Sequence, residues 1–282
     1  MGGSWPVAGG TTPSECGTRP WACVQVLRDP DAIDTIFRGV AWSPDGCLLA
    51  CGSYLRGVQV WDMLTRSHRW VVPTQPTRIH RVAWSPDGTR VVGGGGDGSV
   101  YLWDARDGTL LLRLAGHGGA VMSVAWSPDG RRLASGGGGK AGGELFVWEV
   151  QSGERVRALA EHPGATSTVA WSPSGERLIS GGGDGRLRWW DVQSGQCVRV
   201  QGAHQGTVHA LKVNPDGSRL ASCGDDGAIM LWDLHSGEHL LTLRRDRPYE
   251  RLDISGVKGL TQAQKASLRA LGAIESTLLP DI

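Results

Sequence analysis

The chain has 282 residues and a formal charge of +1, from 29 Lys+Arg against 28 Asp+Glu. Its 43 Gly are about twice the usual ~7 % share, yet 40 % of residues are hydrophobic and 13 are Trp, so neither a disordered nor a collagen-like chain fits. The balanced charge supplies no field to draw nucleic acid or an anionic membrane surface, and no run reaches the ~18 apolar residues of a membrane span.

The opening MGGSWPVAGG has neither a basic n-region nor an apolar h-region, and Pro6 stands where a myristoylation signal carries Ser or Thr. Residues 1–18 read as a flexible leader. Six cysteines in a chain this long do not make a disulfide scaffold, which points to reduced thiols and a cytoplasmic protein.

From residue 19 to about 245 the chain is periodic. The string AWSPDG carries Trp42, Trp84 and Trp126, returns as AWSPSG with Trp171, and decays to KVNPDG with Val213 in the Trp position. Those positions step by 42, 42, 45 and 42 residues. A second ladder runs Trp61-Asp62, Trp103-Asp104, Trp148-Glu149, Trp190-Asp191 and Trp232-Asp233, with steps of 42, 45, 42 and 42. Two motifs that keep one period and share one insertion define five repeats.

Each repeat spells four short strands. One ends at the first Trp, and Ser-Pro-Asp-Gly turns the chain, with Pro fixing φ and Gly accepting a positive φ. A small apolar run follows (Leu133-Ala134-Ser135, Leu178-Ile179-Ser180), then a glycine stretch, then a strictly alternating strand such as Val100/Leu102 or Leu187/Trp189 before the second Trp. Outer strands come last: Cys23–Leu27, His68–Val72, Leu110–Leu114, Arg155–Leu159, Cys197–Gln201 and Leu240–Arg244. Such four-stranded units have two apolar faces and must stack radially to bury them.

Over residues 22–243 these motifs resemble the tryptophan-aspartate (WD) repeat propellers. The resemblance implies an all-β propeller of five four-stranded blades, either incomplete and open or closed as a small ring. It also implies a buried tetrad in each repeat. The fourth is complete with His162, Ser180, Asp184 and Trp190, and the fifth with His204, Ser222, Asp226 and Trp232. The third has His117, Ser135 and Trp148 but no Asp, its turn having become Gly136–Gly143. The second keeps Asp97 and Trp103, with Gln75 and Gly93 in place of His and Ser. The first keeps Trp61, with Cys51 and Leu55 in the polar positions. Softer N-terminal blades follow from that loss. If each outer strand came from the preceding repeat, Cys23–Leu27 would complete the first blade and Leu240–Arg244 would be left over.

The features that suggest chemistry each have a structural account. Gly136–Ala141 lacks the spacing and the Ser or Thr of a phosphate loop, and reads as an enlarged hairpin turn. His235 and His239 flank an ordinary Ser-Gly turn. His162 and His204, each with a Ser and an acid, recur as scaffold rather than forming one asymmetric triad. No catalytic residue, cofactor or metal site is expected. The competing reading is a propeller enzyme of hydrolase or lactonase type with its site in the central channel.

Residues 246–282 form a tail, with a strand-like Tyr249–Ile254 and a helix over 261–271 begun by Thr261 as N-cap with Gln264 as its partner. The tail resembles the end of bacterial multidomain signalling NTPase proteins in which WD repeats act as the sensor. The expectation is therefore a non-catalytic protein-interaction scaffold, the sensor or partner-binding portion of such a protein. It would bind protein partners, with self-association or a missing N-terminal part to complete the ring. The candidate interaction face, on the loops entering the innermost strands, comprises Tyr54, Arg56, Arg78, His80, Lys140, Gln205 and Asp225.

Overall fold

Hairpins form where the repeat places Pro-Asp-Gly or Pro-Ser-Gly, because the glycine adopts a left-handed backbone: φ lies between +69° and +73° at Gly46, Gly88, Gly130, Gly175 and Gly217. An L side chain would be strained there. The serine before the proline ties the turn. The hydroxyls of Ser43, Ser85 and Ser127 donate to Asp45, Asp87 and Asp129 at 2.5, 2.5 and 2.6 Å.

A computed structural model describes residues 36–54, 57–72, 78–139, 142–159, 162–244, 252–255, 257, 259–270 and 273. Blade 1 contains β1 (Phe37–Trp42), β2 (Leu48–Ser53), β3 (Val58–Asp62) and β4 (Ser67–Val71). Blade 2 contains β5 (Ile79–Trp84), β6 (Arg90–Gly95), β7 (Ser99–Asp104) and β8 (Leu110–Ala115). Blade 3 contains β9 (Val121–Trp126), β10 (Arg132–Gly139), β11 (Gly142–Glu149) and β12 (Arg155–Ala158). Blade 4 contains β13 (Thr166–Trp171), β14 (Arg177–Gly182), β15 (Arg186–Asp191) and β16 (Cys197–Gly202). Blade 5 contains β17 (Val208–Val213), β18 (Arg219–Gly224), β19 (Ala228–Asp233) and β20 (His239–Arg244).

Every blade is an antiparallel meander of four consecutive strands. The outer strand therefore follows the Trp-Asp pair instead of coming from the preceding repeat. β20 closes blade 5 and is not left over, and Cys23–Leu27 lies outside the described residues. A short turn after Trp-Asp pairs the next strand at once, which is the cheaper connection. The three-residue insertion of the third repeat lengthens β10 and β11 to eight residues, with Gly138 opposite Gly143 and Gly139 opposite Gly142.

The apolar cores lie between blades, not within them. Val58, Val60, Trp70 and Val72 of blade 1 pack with Ile79, Val82, Trp84 and Trp103 of blade 2, and three equivalent clusters join blades 2 to 5. Indoles stitch these junctions: Trp84 Nε1 donates to Ala41 O at 3.0 Å, Trp171 Nε1 to Ala125 O at 3.1 Å, and Trp70 Nε1 to Ala105 O at 2.9 Å. Innermost strands β1, β5, β9, β13 and β17 pack in sequence and line one channel of about 690 Å³.

The two end faces are open. Val40 is 65 % exposed, whereas its counterparts Val82, Val124, Val169 and Leu211 are 6–9 % exposed. At the other end Ile229 is 47 % exposed, against 0 % at Val58, Val100, Leu145 and Leu187. Leu243 is 49 % exposed, against 2–8 % at Val72, Leu114 and Leu159. The described residues thus form five blades of an incomplete or open propeller.

In the tail, α1 (Gln262–Ala270) starts at a capping box, with Thr261 N donating to Gln264 Oε1 at 2.9 Å and Gln264 N to Thr261 Oγ1 at 3.2 Å. Of the strand-like Tyr249–Ile254, residues 249–251 lie outside the described residues, while Asp253 makes a β-bridge and Ile254 is buried. No described helix is long and apolar enough to cross a membrane.

Candidate interaction face

In blades 3, 4 and 5 the loop entering the innermost strand is pinned from below by a buried polar chain. In blade 5, Trp232 Nε1 donates to Ser222 Oγ at 2.9 Å, and Ser222 Oγ lies 2.8 Å from His204 Nε2. His204 Nδ1 lies 2.9 Å from Asp226 Oδ1, which also accepts from Ala228 N at 3.1 Å. A single neutral imidazole tautomer satisfies the whole chain: indole to hydroxyl, hydroxyl to Nε2, Nδ1–H to carboxylate. Blade 4 repeats the spacing, with Trp190 Nε1 donating to Ser180 Oγ at 2.8 Å, Ser180 Oγ 2.8 Å from His162 Nε2 and His162 Nδ1 3.1 Å from Asp184 Oδ1, but Arg188 Nη1 also approaches His162 Nδ1 at 2.7 Å. There the Arg188 guanidinium also makes an ion pair with Asp184 at 2.8 Å. Burial holds His162 below the ordinary imidazole range despite the nearby carboxylate.

Blade 3 departs from the sequence expectation. It does have a carboxylate: Glu144 Oε2 sits 3.1 Å from His117 Nδ1 and accepts from Gly118 N at 2.8 Å. His117 Nε2 and Trp148 Nε1 both reach Ser135 Oγ at 2.7 Å. The insertion moved the acid onto the lengthened β11, and the longer Glu side chain makes up the distance. An acid just after a glycine-rich insertion was the available signal.

Blades 1 and 2 are built differently. With Gly93 in the Ser position, the six-membered ring of Trp103 fills the space, and a Cβ on Gly93 would meet it at 2.9 Å. Trp103 Nε1 has no partner among the described residues. Asp97 is used otherwise, accepting from Tyr101 OH at 2.7 Å and Arg113 Nη2 at 2.9 Å. In blade 1 Cys51 replaces the serine, burial pushes its thiol up to about 11, and Trp61 stacks on His68 at 3.8 Å. Gln75 and Leu55 lie outside the described residues.

Above this scaffold, every innermost strand carries a bulge at the same point. Pairing slips between Phe37 and Gly39, Ile79 and Arg81, Val121 and Ser123, Thr166 and Thr168, and Val208 and Ala210. The extra residues are Arg38, His80, Met122, Ser167 and His209, each four before the motif Trp or its Val213 substitute. A bulge re-aims its side chain, and bulges concentrate beside functional sites. The positions two and three further on repeat in the first four blades (Val40, Val82, Val124 and Val169, then Ala41, Ala83, Ala125 and Ala170), whereas these five residues and those flanking them vary. Alignment of the five repeats places these residues in one variable column, whereas loop position alone points only to His80.

The structure brings three of the candidate residues together. Tyr54 and His80 meet edge to face, with ring centroids 6.0 Å apart. Arg78 lies over the Tyr54 ring at 4.6 Å, and Arg38 over the same ring at 4.9 Å. Burial, then the positive charges of Arg38 and Arg78, hold His80 below the ordinary imidazole range. On blade 5, Asp225 accepts from Thr207 N at 2.7 Å and pairs with His209 Nε2 at 2.5 Å, while Gln205 N donates to Asp226 Oδ2 at 3.3 Å. Arg56 and Lys140 lie outside the described residues. The channel below is lined mainly by Ala, Val and Trp; Arg81, which enters it, donates to His209 O at 3.2 Å. Among the described residues no three His, Cys, Asp or Glu side chains gather as a metal site.

The WD domain, G-beta repeat family matches residues 21–62 and 195–233. Together with the five four-stranded sheets, these repeats support a WD-repeat propeller. The family of eukaryotic translation initiation factor eIF2A matches residues 52–189, from the end of β2 to β15. Both are in general families of non-enzymatic scaffolds, and WD repeats in general mediate protein–protein interaction. No curated protein matches the chain.

Proposed function

We propose that this WD-repeat propeller is a non-catalytic platform that binds protein partners through the channel mouth formed by the bulge residues and the loops beside them. The observation that carries this reading is the contrast at that rim. Apolar ladder and turn positions repeat from blade to blade, while Arg38, His80, Met122, Ser167 and His209 bring four residue types to the rim, each presented by a recurrent bulge. A rigid scaffold with variable rim residues is how specificity is placed on a repeat fold. The resemblance of the tail supports the finer reading, that the platform is the sensor or partner-binding portion of a cytoplasmic bacterial signalling protein.

The open end faces support self-association. The exposed face of blade 5 and that of blade 1 are the two halves of a junction made four times within the chain, so a second copy offers each face its natural counterpart. Such a contact is heterologous, head to tail.

The test of the binding face is a comparative pull-down from the native host. Tyr54→Ala and Arg78→Ala are expected to lose a partner that Arg106→Ala and Gln193→Ala, in turns at the opposite ends of the strands, retain. All four variants are expected to keep the wild-type unfolding midpoint to within experimental scatter. Loss of partner only in the opposite-face variants would overturn the assignment.

A further inference from the structure

We infer that the cluster of Arg38, Tyr54, Arg78 and His80 is a receptor for carboxylates on an extended acidic segment of a partner protein. This inference rests on the reading of the channel mouth as the binding face and gives that face its chemistry.

Two guanidiniums share one aromatic ring here, at 4.9 and 4.6 Å from the Tyr54 centroid. Stacking holds the planar forks of Arg38 and Arg78 in place but neutralises neither charge. Both arginines are exposed, and neither has a carboxylate partner among the described residues. A stacked arginine of blade 2 shows the contrast. Arg113 stacks on Tyr101 at 5.7 Å, and there Asp97 takes both the guanidinium at 2.9 Å and the Tyr101 hydroxyl at 2.7 Å. Arg188 of blade 4 pairs likewise with Asp184.

The repeat shows what is missing. His209 and Asp225 of blade 5 hold the positions that Arg38 and Tyr54 hold in blade 1, each 171 residues earlier in the sequence. In blade 5 the bulge base meets an internal acid at 2.5 Å. In blade 1 the acid has become an aromatic that orients the base and leaves its charge unanswered. His80 completes the arrangement. Its Nδ1 is buried without a hydrogen-bond partner, and the two arginines beside it disfavour its own protonation. The concentrated positive charge is costly until an anion arrives, and arginine forks bind carboxylates bidentately.

The two guanidinium carbons can be no farther apart than the sum of their distances to the ring centre. An extended peptide places side chains i and i+2 on one face about 7 Å apart, which fits acidic residues at that spacing. That spacing lies within the bound, and the segment the inference specifies carries Asp or Glu at every second position.

The test uses a fluorescein-labelled decapeptide of alternating Glu and Ser, with the Gln-for-Glu peptide as control and anisotropy as readout. The Glu peptide is expected to bind the full chain, to bind at least tenfold more weakly in 200 mM than in 50 mM salt, and to outcompete the Gln peptide. The double variant Arg38→Gln, Arg78→Gln is expected to weaken binding at least tenfold, and Arg38→Lys, Arg78→Lys to rescue it only in part, because lysine keeps the charge and loses the fork. Failure of the Glu peptide to bind at 1 mM would overturn the inference, as would unchanged binding by the Gln double variant. If the peptide fails while Tyr54→Ala still loses its partner in the pull-down, the binding face stands and the carboxylate chemistry falls. Displacement of the peptide by inorganic phosphate at equal concentration would likewise overturn it, showing a general anion site rather than one fitted to a peptide.

Discussion

Ser222→Ala is the most economical test of whether the polar chains hold the blades. The substitution removes one oxygen and leaves two buried groups behind. Trp232 Nε1, in a residue 1 % exposed, loses its acceptor at 2.9 Å, and His204 Nε2 loses its partner at 2.8 Å. An orphaned buried polar group costs ~1–3 kcal/mol, so the pair is expected to cost about 2–4 kcal/mol, allowing for partial relaxation of the imidazole. Urea unfolding followed by tryptophan fluorescence reads this directly. With a slope of about 3 kcal/mol per molar urea, the midpoint falls by about 1 M. Gln151→Ala, in an exposed turn, is the control and is expected to stay within ±0.5 kcal/mol. A midpoint for Ser222→Ala indistinguishable from this control would refute the reasoning, because the buried indole N–H and the imidazole Nε2 would then have found other partners at no cost.

Restoring the missing serine in blade 2 is expected to harm rather than help. A Cβ at Gly93 meets Trp103 at 2.9 Å and Ile79 at 3.1 Å, so Gly93→Ser is expected to destabilise by about 1–3 kcal/mol through overpacking, and a raised thermal midpoint would contradict this. Stability is also expected to fall in acid. Burial holds His117 and His162 below the ordinary imidazole value in the folded state, so the unfolded chain binds protons that the native state refuses. The contribution is complete above about pH 6.5 and is lost as pH drops below that. Asp184 and Asp226, held below the ordinary carboxylate range, add a further loss at pH below about 4. A urea midpoint flat from pH 7.5 to 5.5 would count against the buried neutral histidines. Finally, Val40→Glu and Leu243→Glu are each expected to shift sedimentation of the wild-type protein toward the monomer without lowering its unfolding midpoint. A wild-type chain that is monomeric at every concentration would remove the case for head-to-tail contact.

The period of the two Trp ladders was enough to determine the repeat number, the strand order within each repeat, the turns and the pattern of buried faces. Those are local consequences: Pro-Asp-Gly must turn, and Val100/Leu102 or Leu187/Trp189 must bury alternate positions. The tetrad residues of blades 4 and 5 were legible for the same reason, since each occupies a fixed place in the period. What depended on pairing between distant residues was not legible. Whether the outer strand preceded or followed its blade turned on which hairpin closes first. Glu144 could replace the absent aspartate only because the insertion extended two strands and carried it to His117. Trp103 turned its ring toward Gly93 because the missing side chain left a space that only packing could fill.

The rim of the channel shows the division most clearly. Sequence alone marked Tyr54, Arg78 and His80 as loop residues that vary, but it gave no means of knowing that they meet, and it passed over Arg38, which sits within a strand. A bulge is a property of two strands in register, not of one segment. The exposure of Val40, Ile229 and Leu243 is likewise invisible to a periodic pattern, which assigns every repeat the same burial. Only the packed arrangement decides which repeats have a neighbour on each side, because the contacts that bury an apolar face belong to the blade beside it.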